Sequence, residues 1–342
     1  MANRDSYFDN AKFFLIFFVV FGHMIQSYIQ DKESIFALYK TIYAFHMPAF
    51  ILISGYFAKG LCSKGYIKNL AKKLLIPYLI FQGIYALFYF FILNYETMNL
   101  NPLDPQWSLW FLLSLFFWNL LLIFFKNLSP INGLAIAFVI GITAGYFDFI
   151  SNFLSLSRTF VFFPFFLLGY HLGEEKLKVK ANMKLRIFSI LVFTAVFLFF
   201  YLYQEVDYQW LLGSKPYSEM DDVSYISAIK RLFIYLLSII TTFSFFLLVP
   251  RKKYFFTKVG KYTLYVYLLH GFFVRTFRES ELKDILPEFQ AILLIAIGSL
   301  LLTFLLTNKI VISIVQPFVE MQFSRLKQLF SSIKREEYKY ER

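Results

Sequence analysis

The sequence predicts an all-α integral membrane protein, a polytopic transmembrane helical bundle with about ten membrane-spanning helices and both termini in the cytoplasm. Of its 342 residues, 58% are hydrophobic and only 16% are charged, whereas a soluble domain averages about 25% charged residues. Its 47 phenylalanines and 24 tyrosines exceed what a soluble core needs. The apolar residues also fall into long runs between polar loops. These observations exclude an ordinary soluble domain.

Ten apolar runs approach the length of a membrane span, which takes about twenty mostly apolar residues. The first run follows Arg4, Asp5 and Asp9 and has no small-residue cleavage site after it. We therefore interpret it as a retained helix rather than a cleaved signal peptide. The fifth and sixth runs are short. The predicted spans are residues 11–29, 35–58, 74–93, 107–125, 131–147, 159–172, 185–203, 227–249, 262–277 and 289–312.

Basic residues concentrate in alternate loops, and this bias sets the orientation. They follow the even-numbered runs, whereas the opposite loops are acidic or mixed. By the positive-inside rule the even-numbered runs end in the cytoplasm, where the N-terminus and the C-terminal tail also lie. The net charge of +12 therefore reflects topology, and it does not indicate a nucleic-acid-binding face. The basic loop residues include Lys59, Lys64, Lys68, Lys72, Lys73, Lys126, Lys176, Lys178, Lys180, Lys184, Arg186, Arg251, Lys252, Lys253, Lys258 and Lys261.

The chain divides into a transmembrane domain, residues 1–312, and a cytoplasmic tail, residues 313–342. Apolar residues in the tail recur near helical spacing, with basic residues between them. This pattern predicts an amphipathic helix that lies on the inner leaflet. A helix that binds a partner protein is the alternative. The apolar positions are Phe323, Leu326, Leu329, Phe330 and Ile333.

Three of the four histidines fall at one depth in the predicted bundle. At 1.5 Å per residue, His23 lies roughly 18 Å above the inner end of its run and His270 about 13 Å above the inner end of its own. His46 lies about 16 Å below the outer end of its run, so all three are near the midplane of a core about 30 Å thick. Ionisable groups are costly there, which favours a functional role. The alternative is a packed histidine bonded to a backbone carbonyl or a tyrosine, and we interpret His171 as a boundary residue.

A neutral imidazole at the midplane suits general-base chemistry, because imidazole titrates near neutral pH. We expect no metal, since the sequence has no His-Glu-x-x-His pattern, no midplane carboxylate and a single cysteine, Cys62. On the first helix, Lys12 stands eleven positions before His23, about 16 Å along the axis and nearly on the same face. A cytoplasmic basic group and a midplane base therefore share one helix face. Taken alone, Lys12 would be interpreted as snorkelling to the inner interface.

This pattern resembles the signature of the acyltransferase 3 family of membrane acyltransferases, in which a basic residue precedes a histidine by eleven positions. Lys12 and His23 match that spacing, with lysine where arginine is commoner. The first motif is most similar to the fucose 4-O-acetylase-like subgroup. Lys73 stands where the family usually has arginine. The matching segments are residues 4–12 with 21–23, 45–48 with 53–56, 73–78, 107 with 110–112, 163–170, and 260–265 with 267–270.

The resemblance implies a membrane O-acyltransferase in the plasma membrane of a bacterium. It would take an acyl group, usually acetyl from cytoplasmic acetyl-CoA, and deliver it to a hydroxyl of a cell-envelope or exported glycan. The cytoplasmic rim offers basic side chains for the phosphates of CoA. The expected residues are His23, Lys12 and Asp9 for catalysis; Arg4, Lys12, Lys72 and Lys73 for CoA binding; and His46, Trp110, Arg158 and His270 for acceptor binding.

A multi-pass transporter or flippase for a glycan or small solute is the competing hypothesis. Many secondary transporters show related halves and midplane carboxylates. This sequence shows no internal repeat, and Asp9 and Asp148 lie at span ends. A structural scaffold is a third alternative, but it gives the midplane histidines no role. Within the enzyme hypothesis, direct transfer and a transient acyl-histidine both use His23.

Overall fold

The computed structural model is mostly helical in the residues it describes, which are 5–30, 32–59, 65–178, 181–220, 223–281, 288–322, 324 and 328. These ranges contain no β-strand, and the predicted all-α polytopic class is confirmed. Eleven helices of twelve or more residues form the described bundle: α1 (Ser6–Ile25), α2 (Glu33–Phe57), α3 (Tyr66–Phe91), α4 (Trp110–Phe125), α5 (Pro130–Thr143), α6 (Leu156–His171), α7 (Met183–Leu202), α8 (Tyr225–Leu248), α9 (Thr263–Glu279), α10 (Glu288–Leu306) and α11 (Lys309–Glu320).

Each of the ten predicted runs contains a helix, but the tenth is not a single straight span. Six helices are long and apolar enough to cross a membrane, namely α1, α2, α3, α6, α7 and α8. For α1 and α6, this length includes the short 3-10 turn that adjoins the helix. Helices α4 and α5 are shorter and apolar. The run predicted to reach residue 312 breaks after Leu306, and α11 leaves at 67°. Asn308 accepts a hydrogen bond from the backbone N–H of Ile310 and so caps α11 at the break.

Helix α11 packs on the bundle. It contacts α3, α9 and α10, and Tyr265 of α9 donates a hydrogen bond to Glu320 at 2.6 Å. The division predicted after residue 312 therefore falls inside this helix, and the two-domain description stays a prediction. The apolar tail residues 323, 326, 329, 330 and 333 lie outside the described residues.

Helices α1 and α2 form the shielded centre of the bundle. Within the apolar 18-residue segment of each helix, 67% of α1 and 78% of α2 is buried inside the protein, compared with 17% of α7. Helix α1 contacts α2, α9, α10 and the 3-10 helix Phe255–Lys261. Because α1 carries His23 and α2 carries His46, two of the midplane histidines lie on the best-shielded helices.

Helices α2 and α6 cross in backbone contact at two glycines. A Cβ atom on Gly55 would lie 1.9 Å from the carbonyl oxygen of Phe166, and one on Gly169 would lie 1.9 Å from the carbonyl oxygen of Leu52. Each helix thus leaves a notch for the backbone of the other. Membrane helices associate mainly through such close packing, so small residues at a crossing stabilise the bundle.

Replacing Gly55 or Gly169 with alanine is expected to lower the free energy of unfolding by about 3 kcal/mol, because the added methyl group meets backbone that cannot rotate away. Thermal unfolding of the purified protein in detergent measures this effect. Gly83→Ala in α3 and Gly298→Ala in α10 are matched controls, since a Cβ atom there meets nothing within 4 Å. They should unfold at or above the wild-type temperature, because alanine favours helix. Equal unfolding temperatures in all four variants would contradict the crossing.

Candidate active site

A cavity of about 360 Å³ follows one face of α1 from Lys12 in its N-terminal half to His23 near its C-terminal end. On α1 its wall is formed by Lys12, Ile16, Val19 and His23. These positions recur at helical spacing, so their side chains lie on one side of the helix. Mostly apolar side chains of α2, α3, α4 and α9 form the remaining walls. The cavity therefore joins the ammonium group of Lys12 to the imidazole of His23, which the sequence predicts to lie at the cytoplasmic end of α1 and near the membrane midplane, respectively.

His23 lies among polar rings from three other segments. Its Nδ1 is 3.0 Å from the phenolic oxygen of Tyr43 on α2. Its ring centroid lies 4.5 Å from that of Trp107 and 5.6 Å from that of His270. Arg278 of α9 donates a hydrogen bond to the backbone carbonyl of His23 at 2.6 Å. These contacts hold the imidazole in place while it still lines the cavity.

His46 and His270 are anchored to their own helices. Each lies with Nδ1 against a carbonyl of the preceding turn, at 2.8 Å for His46 and 2.7 Å for His270. A carbonyl only accepts, so Nδ1–H donates and Nε2 keeps the lone pair of the neutral ring. Neither ring lines the cavity, and their predicted contact with the acceptor stays a prediction. Within the described ranges, no three His, Cys, Asp or Glu side chains are grouped so that they could hold a metal ion.

The loop between α3 and α4 enters the bundle as far as His23. Gln82 of α3 donates to two carbonyls of this loop at 2.8 and 2.9 Å and accepts from the backbone N–H of Gln106 at 2.9 Å. Non-helical backbone at membrane depth needs such protein partners, because lipid supplies none. Gln82 therefore helps to anchor the loop that brings Trp107 to the imidazole, together with Tyr78, which donates to the carbonyl oxygen of Pro102 at 2.6 Å.

Trp107 has a backbone conformation that few non-glycine residues adopt. Its φ is +36°, and such strain persists where the surrounding packing enforces it. Gly271 of α9 leaves room for its indole, since a Cβ atom there would lie 2.7 Å from the ring. The indole is thus held between α9 and His23.

The end of the cavity beside the N-terminal half of α1 is organised around Lys12. Its Nζ lies 2.9 Å from the carboxylate of Asp9, whose side chain is 3% exposed. Lys12 and Asp9 also line a second space of about 600 Å³ next to the cavity. Gly260 packs on this turn of α1, because a Cβ atom there would lie 1.9 Å from the carbonyl oxygen of Asp9. The ammonium group is therefore held where the two spaces adjoin.

Two of the other cations predicted to bind CoA do not line these two spaces. Lys72 and Lys73 are exposed on α3 and line neither space, although Leu70 and Leu74 of the same helix line the cavity. Arg4 lies outside the described residues. The assignment of these three residues to CoA stays a prediction.

Two residues predicted to meet the acceptor are brought together. Trp110 lines the cavity, and the guanidinium of Arg158 lies 5.0 Å from the centroid of the Trp110 ring system. Arg158 is also within electrostatic reach of Tyr267 and Tyr43. A guanidinium over an indole face is a favourable cation–π arrangement. Trp110 therefore shares the cavity with His23, and Arg158 lies over its ring.

Sequence reasoning missed Tyr43, Arg275 and Arg278. Tyr43 precedes His46 by three positions, so helical spacing alone places both on one face of α2 and could have indicated it. The guanidiniums of Arg275 and Arg278 lie 5.4 and 5.5 Å from the Trp107 ring centroid. In the sequence these arginines resemble ordinary loop-flanking charges, and only the fold brings them to the indole.

Comparison with known proteins identifies the family of this chain. A family model described as an acyltransferase domain matches residues 5–308. The nodulation protein NolL of Sinorhizobium fredii is 33% identical over 207 residues, which are 56% of this chain and 55% of the relative. NolL of Mesorhizobium japonicum is 32% identical over 181 residues, 49% of this chain and 48% of the relative. The chain thus matches about half the length of these relatives, and no solved structure matches it. Because the family model covers nearly the whole chain, including Lys12 and His23, the chain belongs to the acyltransferase 3 family.

Proposed function

We propose that this protein is a membrane O-acyltransferase that moves an acyl group, most simply acetyl, from cytoplasmic acyl-CoA to a hydroxyl of a cell-envelope or exported glycan. The observation that carries the proposal is the cavity shared by Lys12 at its cytoplasmic end and His23 at the midplane. Membership of the acyltransferase 3 family supports the reaction class. One face of α1 then provides both a phosphate-binding cation and a base.

The separation of Lys12 and His23 along α1 matches the length of the donor's pantetheine arm. Lys12 and His23 are eleven residues apart, about 16 Å along α1. The pantetheine arm has about thirteen bonds between its sulfur and the nearest phosphate, so it extends to about 15 Å at the reach of an extended chain. A phosphate bound at Lys12 therefore brings the thioester close to His23. The mostly apolar wall accommodates the arm between them.

His23 is suited to act as a general base. When its Nδ1–H donates to the oxygen of Tyr43, the lone pair is on Nε2. Nε2 takes the proton of the acceptor hydroxyl as that oxygen bonds to the thioester carbon, and the carbonyl electron pair moves onto its oxygen. When the pair returns, the carbon–sulfur bond breaks and CoA leaves as a thiolate. The imidazolium then protonates this sulfur, which restores the base.

The acceptor is expected at the other end of the site. Trp110 and Arg158 lie at the beginnings of α4 and α6, which the charge bias places away from the cytoplasm. An indole face packs against the apolar face of a sugar ring, and a guanidinium donates to its oxygens. Donor and acceptor would therefore approach His23 from opposite sides of the membrane.

Binding and product analysis test this function. The purified protein in lipid nanodiscs is expected to bind acetyl-CoA specifically, as measured by calorimetry. Cells with the gene should carry additional acetyl mass on one envelope glycan compared with cells without it, as measured by mass spectrometry. Solute flux in proteoliposomes together with no affinity for acetyl-CoA would instead indicate a transporter and overturn the proposal.

A further inference from the structure

Ser108 carries a buried hydroxyl on the wall of the cavity that also contains His23. The residue is 4% exposed and lines the cavity, yet its Oγ has no hydrogen-bond partner in the described part of the chain. Ser54 lines the same cavity, but its Oγ donates to the carbonyl oxygen of Phe50 at 2.9 Å. A buried donor left without an acceptor costs free energy. Ser108 is therefore the wall serine whose hydroxyl is available to a ligand.

Neighbouring groups fix Ser108 on the wall of the cavity that His23 also lines. It directly follows Trp107, whose ring centroid lies 4.5 Å from that of His23. Tyr267, which lines the same cavity, donates its phenolic O–H to the backbone carbonyl of Ser108. Helix α4 begins two residues later, and its first backbone N–H groups carry partial positive charge. A negative oxygen beside the Ser108 hydroxyl would meet a hydrogen-bond donor near the beginning of α4.

We propose that the hydroxyl of Ser108 donates a hydrogen bond to the carbonyl oxygen of the acyl thioester and stabilises the oxyanion formed during transfer. The inference rests on the proposed acyl transfer and adds a catalytic residue to it. Negative charge develops on this oxygen when the acceptor oxygen bonds to the carbonyl carbon, and preorganised donors lower the barrier of such steps. Ser108 keeps its proton throughout. The charge disappears when the carbon–oxygen double bond re-forms and the carbon–sulfur bond breaks.

Ser108→Ala is expected to lower kcat by about a hundredfold to a thousandfold. The Kd of acetyl-CoA should change little, because the hydrogen bond strengthens mainly in the transition state. Ser108→Thr keeps a hydroxyl and should retain most of the activity. Ser299→Ala is the matched control, since the Ser299 hydroxyl in α10 is also buried without a partner among the described residues but does not line the cavity. The Ser299→Ala variant should have the same kcat as the wild type.

Infrared spectroscopy tests the hydrogen bond itself without any acceptor. Acetyl-CoA labelled with carbon-13 at the acetyl carbonyl is bound to the wild-type protein, Ser108→Ala and Ser299→Ala in nanodiscs. A hydrogen bond weakens the carbonyl double bond, so the stretching frequency should be lower in the wild type and the Ser299 variant than in Ser108→Ala. If all three bind the donor with one frequency, the role of Ser108 is overturned while acyl transfer stands. If the wild type binds no acetyl-CoA, the proposed function fails as well.

Discussion

Replacing His23 with glutamine is expected to reduce acyl transfer about a thousandfold, because a general base contributes about 10² to 10⁴ in rate. Glutamine is polar and similar in size, but it cannot accept a proton at neutral pH. The substitution therefore removes the proton acceptor but keeps a polar side chain at the position that contacts Tyr43 and Trp107. Single-turnover transfer from labelled acetyl-CoA measures the effect. Calorimetry should show that the variant still binds the donor.

His171 provides the matched control for this experiment. It ends α6 and does not line the cavity, so His171→Gln should transfer acetyl groups at the wild-type rate. If His23→Gln also transfers at that rate, the catalytic role of His23 is wrong. Steady-state patterns in the wild type then distinguish the two routes, because a transient acyl-histidine gives ping-pong kinetics and direct transfer does not.

The long axis of the candidate site follows from local geometry, and the sequence therefore predicts it. Eleven residues place Lys12 and His23 on one helix face wherever the helix packs, and the cavity follows that face. The apolar runs likewise predict the helices from local information, because the length of each run alone shows whether it can cross the membrane. The break after Leu306 is the exception. Thr307, Asn308 and Lys309 interrupt the apolar run there, but apolar residues resume at Ile310, so the pattern predicts one span.

Contacts between segments that are distant in the sequence cannot be predicted from such local patterns. Trp107 meets His23 because Gln82 anchors a loop that the apolar pattern assigned to the start of a span. Lys72 and Lys73 have the charge and depth expected of CoA ligands, but their positions on α3 leave them exposed. Charge and depth can be inferred from one sequence, whereas the rotation of a helix about its axis depends on its neighbours.

Replacing Lys12 with methionine is expected to weaken acetyl-CoA binding about tenfold to a hundredfold, because a hydrogen bond to a charged group contributes about 1.5–3 kcal/mol and each 1.4 kcal/mol is a factor of ten. The kcat at saturating donor should fall less. Lys12→Arg should bind nearly as well, since a guanidinium also recognises phosphate. Lys184→Met in the first turn of α7 is the control, because this exposed lysine lines neither space and its loss should leave affinity unchanged.

A donor without phosphates shows how Lys12 acts. Lys12 also pairs with the buried carboxylate of Asp9 at 2.9 Å, so its loss could disturb the turn of α1 as well as the ligand. S-acetylpantetheine carries the thioester and the pantetheine arm but no phosphate. If Lys12 binds a phosphate of CoA, the wild type and Lys12→Met should use this shortened donor equally well, although both poorly. If the variant is weaker by the same factor with both donors, Lys12 supports the fold through Asp9 and the donor's phosphates bind elsewhere.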